Sequence, residues 1–545
     1  MSTKIVIVGG VAGGASAAAR ARRVNEHADI VVYERGPFVS FANCGLPYYI
    51  AGEITDQSRL LVANPQMFWD KYRVVVKTEH EVTQIDRVKK TVTVKKLNGE
   101  TFSDSYDKLI LSQGASPIRP PFPGMDQDMV FTLRDIPDML RIDGFIAKNN
   151  PKTAVVIGGG FIGLEMAEAF NRRGMHVHLI ERNPHVMPMV DDDLAEEFQH
   201  LMNRAGNLTV WPSRAVASIG KNEVIFSDGE KIPTDIVLVS IGVSPEVELA
   251  KVAGIELGQT GGVKVNGRME SSDPDVYAVG DAAETVHRIT GLRVRIPLAG
   301  PANRQGRVAG DNAAGGHATY VGAMGTAIVR VHDATLAITG LGARQIASSG
   351  LSYFRSTTRD LSHAGYYPGA KNVLTRLLVE EGTGRLLGAQ VLGEEGVDKR
   401  IDVLATAIAS GMTVQDLDDV DLAYAPPFGS AIDPINTAAR VAHHVLTGEL
   451  SVMQPQEIAQ FKGQIVDVRE PRELKGGKVK GAVNIPLSQV RDRLKELDPT
   501  KPVLVYCQKG LRGYVASRIF KQHGFKVSNL SGGFYQAARL KAVIE

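Results

Sequence analysis

Short runs of β-branched residues alternate with helical patterns through most of this chain, an arrangement that is typical of parallel α/β domains. A strand, a glycine-rich turn and a helix follow one another twice, at residues 4–23 and at residues 152–173. The stretch 78–102 alternates β-forming and charged residues and contains Asn98-Gly99, which predicts an antiparallel hairpin. Two copies of the first pattern in one chain suggest two dinucleotide sites.

The pattern changes after residue 322. Strands are predicted near residues 327–330, 352–356 and 373–379, and a helix near residues 397–410, which together indicate an α+β domain. Residues 450–456 form a short polar joint. The remaining residues, 457–545, have the length and the pattern of one small α/β module.

The composition is ordinary for a soluble globular protein of several domains, with 43% hydrophobic and 22% charged residues. The net charge of +2 gives no reason to expect nucleic acid or an acidic membrane as a partner. No apolar run approaches the roughly 18–20 residues of a membrane helix, and no signal peptide is expected, since a strand pattern begins at Lys4. Two cysteines exclude a disulfide framework and fit a reducing compartment, so we expect a cytoplasmic protein. No metal site is predicted.

The second glycine-rich turn carries Gly158, Gly160 and Gly163 between a strand and a helix, and Glu181 follows the next strand. Such glycines allow a tight turn and the close approach of a pyrophosphate to the helix N-terminus, while the acidic residue can accept hydrogen bonds from a ribose. Glu181 would repel a 2′-phosphate and therefore favours NADH. Arg182 beside it weakens that preference and leaves NADPH open.

The first glycine-rich turn departs from the strict pattern, because Val11 stands where the middle glycine is usual. An acidic residue, Glu34, again follows the next strand. We predict a second dinucleotide here, with the following contact residues: Gly9, Val11, Ala12, Gly13, Gly14, Glu34 and Arg35.

A distant segment, residues 271–281, is an apolar strand that ends in Gly280-Asp281. With the two glycine loops, it resembles the second FAD motif of the pyridine nucleotide–disulfide oxidoreductases, and the resemblance spans roughly residues 1–447. It implies that Asp281 bonds the ribityl chain of FAD and that Glu165 lies near the nicotinamide. The turns that contain Gly114 and Gly242 match the connections between the FAD and NAD domains of that family.

Cys44 follows a predicted helix N-cap, Asn43, so exposed amides are expected to lower the pKa of its thiol. The segment Ser40-Phe-Ala-Asn-Cys44 resembles the motif of the single-cysteine branch of this family. Two-cysteine members form an internal disulfide, but this chain has no other cysteine before Cys507. Cys44 must therefore cycle as a sulfenic acid or as a mixed disulfide with a small thiol.

Within that branch, peroxide- and oxygen-reducing members carry a histidine in the first glycine loop, and this chain has none there. Its Val-Ala-Gly-Gly loop resembles coenzyme A-disulfide and persulfide reductases instead. That resemblance implies a homodimer in which Tyr367 and Tyr424 of the partner subunit complete the active site, with Tyr366 as an alternative to Tyr367.

Basic residues stand where a coenzyme A phosphate could dock. Arg20 and Arg23 share one face of the first helix, and Lys71 adds charge. A solvated helix face is the alternative interpretation. The same resemblance implies further substrate contacts: Ser16, Ser40, Asn43, Asn303 and His363. A basic residue expected after the Tyr-Ala-Pro-Pro-Phe motif is absent from residues 429–433, which puts one phosphate contact in doubt.

Near the C-terminus, a strand leads into Cys507-Gln508-Lys509-Gly510-Leu511-Arg512 and then into a helix. Backbone amides around a sulfur, with two basic residues, would stabilise a persulfide or a thiolate. The loop resembles the active loop of rhodanese. The spacing of Cys507 and Arg512 is also similar to that of dual-specificity phosphatases, which are one alternative, although their loop is one residue longer to fit phosphate. An inert docking module is the other alternative. Asp467 and Arg469 are interpreted as a structural ion pair beside the loop.

These observations predict two Rossmann-like dinucleotide-binding domains, an α+β dimerisation domain and a C-terminal α/β rhodanese domain. The expected boundaries are residues 1–117 with 245–321 for FAD, 118–244 for NAD(P)H, 322–448 for dimerisation, 449–456 for a linker and 457–545 for rhodanese. We expect an FAD- and NAD(P)H-dependent reductase of persulfides, polysulfides and coenzyme A disulfides, with coenzyme A as substrate or bound thiol. The alternatives are an NADH peroxidase or oxidase and a redox sensor that docks a partner.

Overall fold

The computed structural model describes residues 2–540 and 543–545. Within it the chain forms two compact units. The first ends at Pro184 and resumes with Gly206–Gly325, and the second combines His185–Ala205 with Thr326–Glu545.

The first parallel sheet of the first unit is built from short, nearly continuous runs of buried β-branched residues, as a sheet covered on both faces requires. Its strands, in spatial order, are Val276–Ala278, Lys108–Leu111, Lys4–Val8, Asp29–Tyr33 and Val75–Lys77. The helices associated with it are Ala12–Val24, Pro65–Tyr72, Glu248–Val252 and Ala299–Ala313. The short helix Leu46–Ile50 contacts the helices Ile136–Asn149 and Phe161–Arg172 instead. The two glycine-bearing helices Ala12–Val24 and Ala299–Ala313 pack closely against each other.

The second parallel sheet repeats this plan. Its strands, in spatial order, are Leu208–Trp211, His176–Ile180, Thr153–Ile157, Ile236–Val239 and Val130–Phe131. The helices Ile136–Asn149 and Phe161–Arg172 belong to the same part of the chain. Both predicted strand–turn–helix repeats are thus confirmed as central elements of parallel sheets.

Antiparallel strands supplement both sheets. The predicted hairpin is confirmed and gains a third strand, giving His80–Asp86, Thr91–Lys96 and Thr101–Ser105. The other small sheets are formed by Val216–Ile219, Glu223–Phe226 and Lys231–Pro233, by Ala115–Pro117 with Val243–Pro245, and by Thr285–Val286 with Arg293–Val294.

The second unit contains a five-stranded antiparallel sheet. Its strands, in spatial order, are Ala327–Val331, Ala334–Gly340, Leu386–Gly393, Asn372–Glu380 and Tyr353–Leu361. The sequence prediction agrees with the helix Val397–Ala409 and with three of these strands, Ala327–Val331, Tyr353–Leu361 and Asn372–Glu380. The helices Ala343–Ser349, Val414–Asp418 and Pro434–Leu446 complete this part.

The C-terminal module is a five-stranded parallel sheet. Its strands, in spatial order, are Val452–Met453, Val527–Leu530, Val503–Tyr506, Gln464–Asp467 and Val483–Asn484. Its α-helices are Val490–Arg493, Leu511–Gln522 and Gly533–Ala537. The segment 449–456 was expected to be a linker, and that expectation is wrong in part, because Val452–Met453 pairs as the edge strand of this sheet. Asn529 and Ser531 donate backbone hydrogen bonds to Ser451 and Met453 over 2.8 and 2.9 Å.

The helix Asp192–Met202 belongs to the second unit, although its residues fall within the range 118–244 predicted for the second dinucleotide domain. The reason is a buried ion pair. Arg376 of the antiparallel sheet donates two hydrogen bonds of 2.6 Å to Asp193 and one of 3.0 Å to Asp191. Gln536 of the C-terminal module donates to the same Asp193 carboxylate over 3.2 Å.

Among the residues that the structure describes, no helix combines the length and the apolar character needed to cross a membrane.

Candidate active site

The two glycine loops have the same backbone geometry. Gly9 and Gly158 have φ of +93° and +109°, a region that favours glycine. A Cβ on Gly14 or Gly163 would lie 1.9 Å from the carbonyl oxygen of Gly9 or Gly158. These four glycines are therefore required by the close packing of helix on strand, and both loops have the form of a dinucleotide-binding turn.

Val11 occupies the middle position of the first loop without strain. It has φ of −92° and precedes the helix Ala12–Val24, just as Gly160, with φ of −84°, precedes the helix Phe161–Arg172. A Cβ on Gly160 would meet no protein atom within 4 Å. The chain itself does not require glycine at this position, which explains why the first loop can depart from the strict pattern.

The two acidic residues predicted to bind ribose also brace their own loops. Glu34 accepts hydrogen bonds from the backbone amides of Gly10 and Gly36, each over 2.8 Å. Glu181 accepts equivalent bonds from Gly159 over 2.8 Å and from Asn183 over 2.7 Å. Each carboxylate therefore holds the loop beside it in place, in addition to any contact with a nucleotide.

The predicted Gly-Asp turn follows the strand Val276–Ala278. Asp281 lies in a short 3-10 helix, and burial raises the pKa of its carboxyl, with Arg295 and Arg134 opposing that rise. The amide of Gly280 donates a 2.7 Å hydrogen bond to the buried side chain of Gln305. Gly114, in the turn before Ala115–Pro117, has φ of +73°. A tight loop at a helix start and a carboxylate at a strand end are what FAD binding requires of the chain.

Arg134 is a residue that the sequence did not single out. Its guanidinium donates to Gln113 over 3.1 Å and to Glu246 over 3.2 Å, and Glu246 also pairs with Arg35 over 3.3 Å. The backbone carbonyl of Arg134 accepts a 3.3 Å bond from the amide of Asn43. Burial lowers the pKa of Arg134, and the charge of Arg35 lowers it further. No glycine pattern or lone cysteine marks it, so only tertiary structure could find it.

Cys44 lies in a 3-10 turn, Asn43–Gly45, that leads into the helix Leu46–Ile50. The residue before this turn is Ala42, and no side chain caps it, so the expectation that Asn43 is the N-cap is wrong. The expected lowering of the pKa is also wrong for the chain alone. Cys44 is exposed at the surface of the chain, but neighbouring protein atoms still desolvate its thiol and raise its pKa, and the carboxyls of Glu165 and Asp281 raise it further.

Glu165 lies one turn into the helix that follows the second glycine loop. Burial raises the pKa of its carboxyl to about 7, and the neighbouring charge of Glu168 contributes. The helix Leu46–Ile50, which follows Cys44, packs against the helix Phe161–Arg172, which carries Glu165. Because the charges of Glu165 and Asp281 both raise the pKa of the Cys44 thiol, the first unit brings together one residue from each predicted dinucleotide site and the redox cysteine.

Several residues nominated for substrate binding lie along the paired helices Ala12–Val24 and Ala299–Ala313. The hydroxyl of Ser16 donates a 2.7 Å hydrogen bond to Asn303. Arg20 donates to Asp311 over 2.8 Å, so its charge is paired in this conformation. Arg23 is exposed and donates to the carbonyl of Ala19 over 3.0 Å, as a solvated helix face would.

Ser40 and Lys71 lie in the same unit. Ser40 has φ of +47°, which is unusual for a residue with a side chain, and its amide donates to Gly10 over 2.9 Å. That bond ties the segment before Cys44 to the first glycine loop. Lys71 is exposed, and its ammonium lies 5.4 Å from the ring centroid of Tyr72.

The predicted tyrosines lie in the second unit, together with His363. The hydroxyls of Tyr366 and Tyr424 are 2.7 Å apart, and Tyr366 is 76% exposed. Tyr367 instead packs edge-on against the buried ring of His363, with centroids 5.6 Å apart. Tyr366, the alternative residue of its pair, is therefore the one that contacts Tyr424. His363 is 7% exposed in the chain.

The C-terminal cysteine lies at the start of the predicted anion loop. Cys507 is 2% exposed, and the amide of Gly510 donates to its sulfur over 3.1 Å. The guanidinium of Arg512 lies within electrostatic reach of this sulfur. Gln508 accepts a 3.1 Å bond from Arg469, and Leu511 is 74% exposed at the loop surface. A backbone amide thus donates to the sulfur, and a guanidinium charge lies nearby.

The ion pair expected beside this loop is present. Arg469 and Asp467 are both buried and are joined over 2.7 Å. The ammonium of Lys509 donates a 2.8 Å hydrogen bond to Asn372 of the antiparallel sheet.

Comparison with known proteins assigns each part of the chain to a family. Residues 3–306 match the pyridine nucleotide-disulphide oxidoreductases, residues 326–434 match the dimerisation domain of that group, and residues 452–539 match the rhodanese-like domain.

Individual proteins agree with this division. The chain is 35% identical over 437 residues to a coenzyme A disulfide reductase of Staphylococcus epidermidis, covering 79% of this chain and 98% of that protein. The crystal structure of reduced Bacillus anthracis CoADR-RHD is 43% identical and covers 100% of this chain and 99% of its own, with a TM-score of 0.98. An NAD-dependent persulfide reductase from A. fulgidus is 38% identical and covers 98% of this chain and 100% of its own, with a TM-score of 0.92.

Proposed function

Because the chain belongs to the pyridine nucleotide–disulfide oxidoreductases, we propose that it reduces persulfides, polysulfides and coenzyme A disulfides through a mixed disulfide between Cys44 and coenzyme A. The observation that carries this proposal is the position of Cys44. It lies within electrostatic reach of Glu165, from the helix after the second glycine loop, and of Asp281, from the Gly-Asp turn.

Enzymes of this family depend on FAD and NAD(P)H, and the chain has a fitting loop for each. The turn at Gly9–Gly14, with Glu34 and Asp281, would hold FAD, and the turn at Gly158–Gly163, with Glu181, would hold the nicotinamide nucleotide. Bound FAD supplies a two-electron relay between the nicotinamide and a disulfide at Cys44.

The chemistry at Cys44 balances without a second cysteine. Its thiolate attacks the carbon-bound sulfur of a coenzyme A persulfide, the S–S bond breaks, and HS⁻ leaves. Two electrons and a proton then cleave the Cys44–coenzyme A disulfide and release the thiol. The net reaction converts CoA–SSH and NADH into CoA–SH, HS⁻ and NAD⁺. Glu165, with a pKa of about 7, can hold or give up a proton beside this sulfur.

Coenzyme A would be anchored along the paired helices. Ser16 and Asn303 already contact each other, so a ligand that reached one would reach both. Arg20 is paired with Asp311, and a bound phosphate would have to share or displace that carboxylate. The exposed Arg23 and Lys71 offer further positive charge.

A homodimer would complete this site. The residues that match the dimerisation domain carry Tyr366, Tyr367 and Tyr424 as exposed side chains. In the proposed assembly the Tyr366–Tyr424 pair would hydrogen-bond the sulfur that leaves the partner's cysteine. The buried His363 would act through Tyr367, against which it packs.

The rhodanese-like module would supply sulfane sulfur. Cys507 would collect it as a persulfide and pass it to coenzyme A, converting Cys507–SSH and CoA–SH into Cys507–SH and CoA–SSH. The hydrogen bond from Lys509 to Asn372 supports this role, because Asn372 begins the strand that follows the tyrosine-bearing loop. The donor loop and the tyrosine loop are therefore attached to one hairpin.

The test is anaerobic oxidation of NADH and of NADPH with coenzyme A persulfide, coenzyme A disulfide, polysulfide and hydrogen peroxide as separate acceptors. The wild-type protein should favour the sulfur acceptors, and Cys44→Ser should lose turnover with all of them. Cys507→Ser should keep turnover with coenzyme A persulfide but lose turnover with polysulfide.

Two results would count against the proposal. Turnover with peroxide or oxygen above that with persulfide would indicate a peroxidase or oxidase that cycles through sulfenic acid. Full turnover of persulfide by Cys44→Ser would show that the reaction does not require Cys44.

A further inference from the structure

The positive charges around Cys507 are paired with specific partners. Arg512 donates to both carboxylate oxygens of Glu473, over 2.6 and 2.7 Å. These bonds lower the pKa of Glu473 to about 2, so the carboxylate is ionised at neutral pH and offsets the guanidinium charge. Arg469 is paired with Asp467 over 2.7 Å.

Lys509 is held by a different domain. Its ammonium donates to Asn372, which begins the strand Asn372–Glu380, and it lies in the field of Asp360, which is on the neighbouring strand Tyr353–Leu361. The two strands are hydrogen-bonded, with Leu361 opposite Asn372 and Asp360 opposite Val373. The side chains of Asn372 and Asp360 therefore come from the same end of one hairpin.

The carboxylate of Asp360, which is partly buried, is the acidic group that acts on the ammonium of Lys509. One of its carboxylate oxygens is buried and has no hydrogen-bond partner among the described residues. Burial raises the pKa of the Asp360 carboxyl, and the charges of Lys509 and Arg400 oppose that rise. Burial and the charge of Arg359 lower the pKa of Lys509, and the charge of Asp360 opposes that shift. Arg359 is itself paired with Glu197 over 2.7 Å.

We propose that Asn372 and Asp360 commit the ammonium of Lys509 to the dimerisation hairpin and thereby adapt the Cys507 loop to sulfur donors of low charge. The preferred class is the alkyl persulfide, in contrast to dianions such as thiosulfate. With the ammonium of Lys509 held at Asn372 and the guanidinium of Arg512 offset by Glu473, less positive charge is available at the sulfur to attract a dianion. This inference deepens the sulfur-transfer role proposed above and rests on it.

Both donors would react by the same bond exchange. The Cys507 thiolate attacks the terminal sulfur, and the donor S–S bond breaks. An alkyl persulfide, R–S–SH, leaves as R–SH, and thiosulfate leaves as sulfite, with Cys507–S–S⁻ formed in both reactions. The leaving groups differ in charge, so the charge of the loop decides between the donors.

The test uses full-length protein and two nearly isosteric reagents, the anion iodoacetate and the neutral iodoacetamide. The ratio of their alkylation rates at Cys507, read by mass spectrometry of that peptide, reports the charge that the sulfur experiences. Four proteins are compared: wild type, Lys509→Met, the pair Asn372→Ala with Asp360→Asn, and all three changes together. Asp398→Asn, an exposed carboxylate of the same domain, is the charge-matched control.

We expect Lys509→Met to lower the ratio less than about twofold in the wild-type background and about fivefold in the Asn372→Ala, Asp360→Asn background, where the ammonium is released. The released variant should also form more Cys507 persulfide from thiosulfate relative to an alkyl persulfide. An equal effect of Lys509→Met in both backgrounds, or an unchanged donor preference, would overturn the proposal.

Failure of the proposed delivery role gives a different result. If Cys507→Ser kept full turnover with polysulfide, sulfur delivery through Cys507 would be wrong, while the alkylation ratios would still decide whether the hairpin commits Lys509.

Discussion

At the scale of single residues, the carboxyl of Glu165 controls the charge beside the thiol of Cys44. Its pKa of about 7 means that it ionises as the pH rises through neutrality, and the negative charge then raises the pKa of Cys44. We predict that Glu165→Gln, which stays neutral, lowers the pKa of Cys44 and speeds its alkylation severalfold above pH 7. The rate of Cys44 modification as a function of pH measures this.

Glu248→Gln is the matched control, because Glu248 is largely exposed on another helix.

The free energy of unfolding should depend on the same ionisation of Glu165. The pKa of Glu165 is raised in the folded state, so ionising this carboxyl lowers the free energy of unfolding. The loss is absent well below pH 4.5, where the carboxyl is protonated in both states, and is complete above about pH 7. Glu165→Gln should gain up to about 3 kcal/mol there. Identical pH profiles for Glu165→Gln and wild type would contradict this account.

The sequence was sufficient to identify Cys44, because a lone cysteine in a recognisable segment stands out. It could not predict the direction of the pKa shift, which depends on desolvation and on two carboxyls that lie more than 100 residues away in the chain. Arg134 and Gln305 were missed for the same reason. Each acts through a tertiary hydrogen bond, and neither belongs to a local pattern.

At the scale of secondary structure elements, the contact between the helices Ala12–Val24 and Ala299–Ala313 depends on glycine. A Cβ on Gly306 would lie 2.1 Å from the carbonyl oxygen of Gly13. We predict that Gly306→Ala separates these helices, lowers the melting temperature and weakens retention of FAD, which would contact the loop before the first helix. Thermal unfolding and the ratio of flavin to protein after gel filtration measure both effects.

Gly144→Ala serves as its control, since Gly144 also lies inside a helix and a Cβ there would meet no atom within 4 Å. This change should be neutral or should stabilise the protein by up to about 1 kcal/mol. Equal effects of the two substitutions would show that helix propensity, and not the close contact, governs the result.

Elements with a local signature were predicted well. Both glycine loops and the hairpin at Asn98-Gly99 are formed as expected. The strands Ala334–Gly340 and Leu386–Gly393 were missed, and the second is buried along its whole length. A fully buried strand has no alternation of polar and apolar residues, so its sequence does not distinguish it from a helix.

At the scale of the whole molecule, a buried ion pair links the helix Asp192–Met202 to the rest of the second unit. Burial opposes ionisation of Asp193, but Arg376 more than compensates and lowers its pKa to about 2. We predict that Asp193→Asn costs about 3 kcal/mol of stability, since it leaves a buried guanidinium partly unpaired. Urea unfolding of the second unit measures the loss.

Asp192→Asn is the control, because Asp192 is next to Asp193 in the sequence but pairs with Arg344 at the surface. The pKa of Asp193 is lowered in the folded state, so its contribution is complete above the ordinary value of 3.8 and is lost as the pH falls through about 2. The difference between wild type and Asp193→Asn should shrink over that range. A loss as large in Asp192→Asn would refute the role of the buried pair.

The order of domains along the chain could be predicted, since each domain has its own motif. The contacts between the C-terminal module and the antiparallel sheet could not. Lys509 lies 137 residues from its partner Asn372, and Gln536 lies 343 residues from its partner Asp193, so these hydrogen bonds depend on how the modules pack. The edge strand Val452–Met453 was missed as well, because two residues are too few to show a pattern.

The central claim, a Cys44–coenzyme A mixed disulfide, is tested most directly by mass spectrometry. The flavin-loaded enzyme is mixed anaerobically with coenzyme A persulfide in the absence of NADH, digested without a reductant, and analysed at the peptide that contains Cys44. The account predicts a coenzyme A adduct on Cys44 that disappears when NADH is added and that is absent from Cys44→Ser. Sulfenic acid on Cys44 in place of the adduct, or turnover without any adduct, would contradict it.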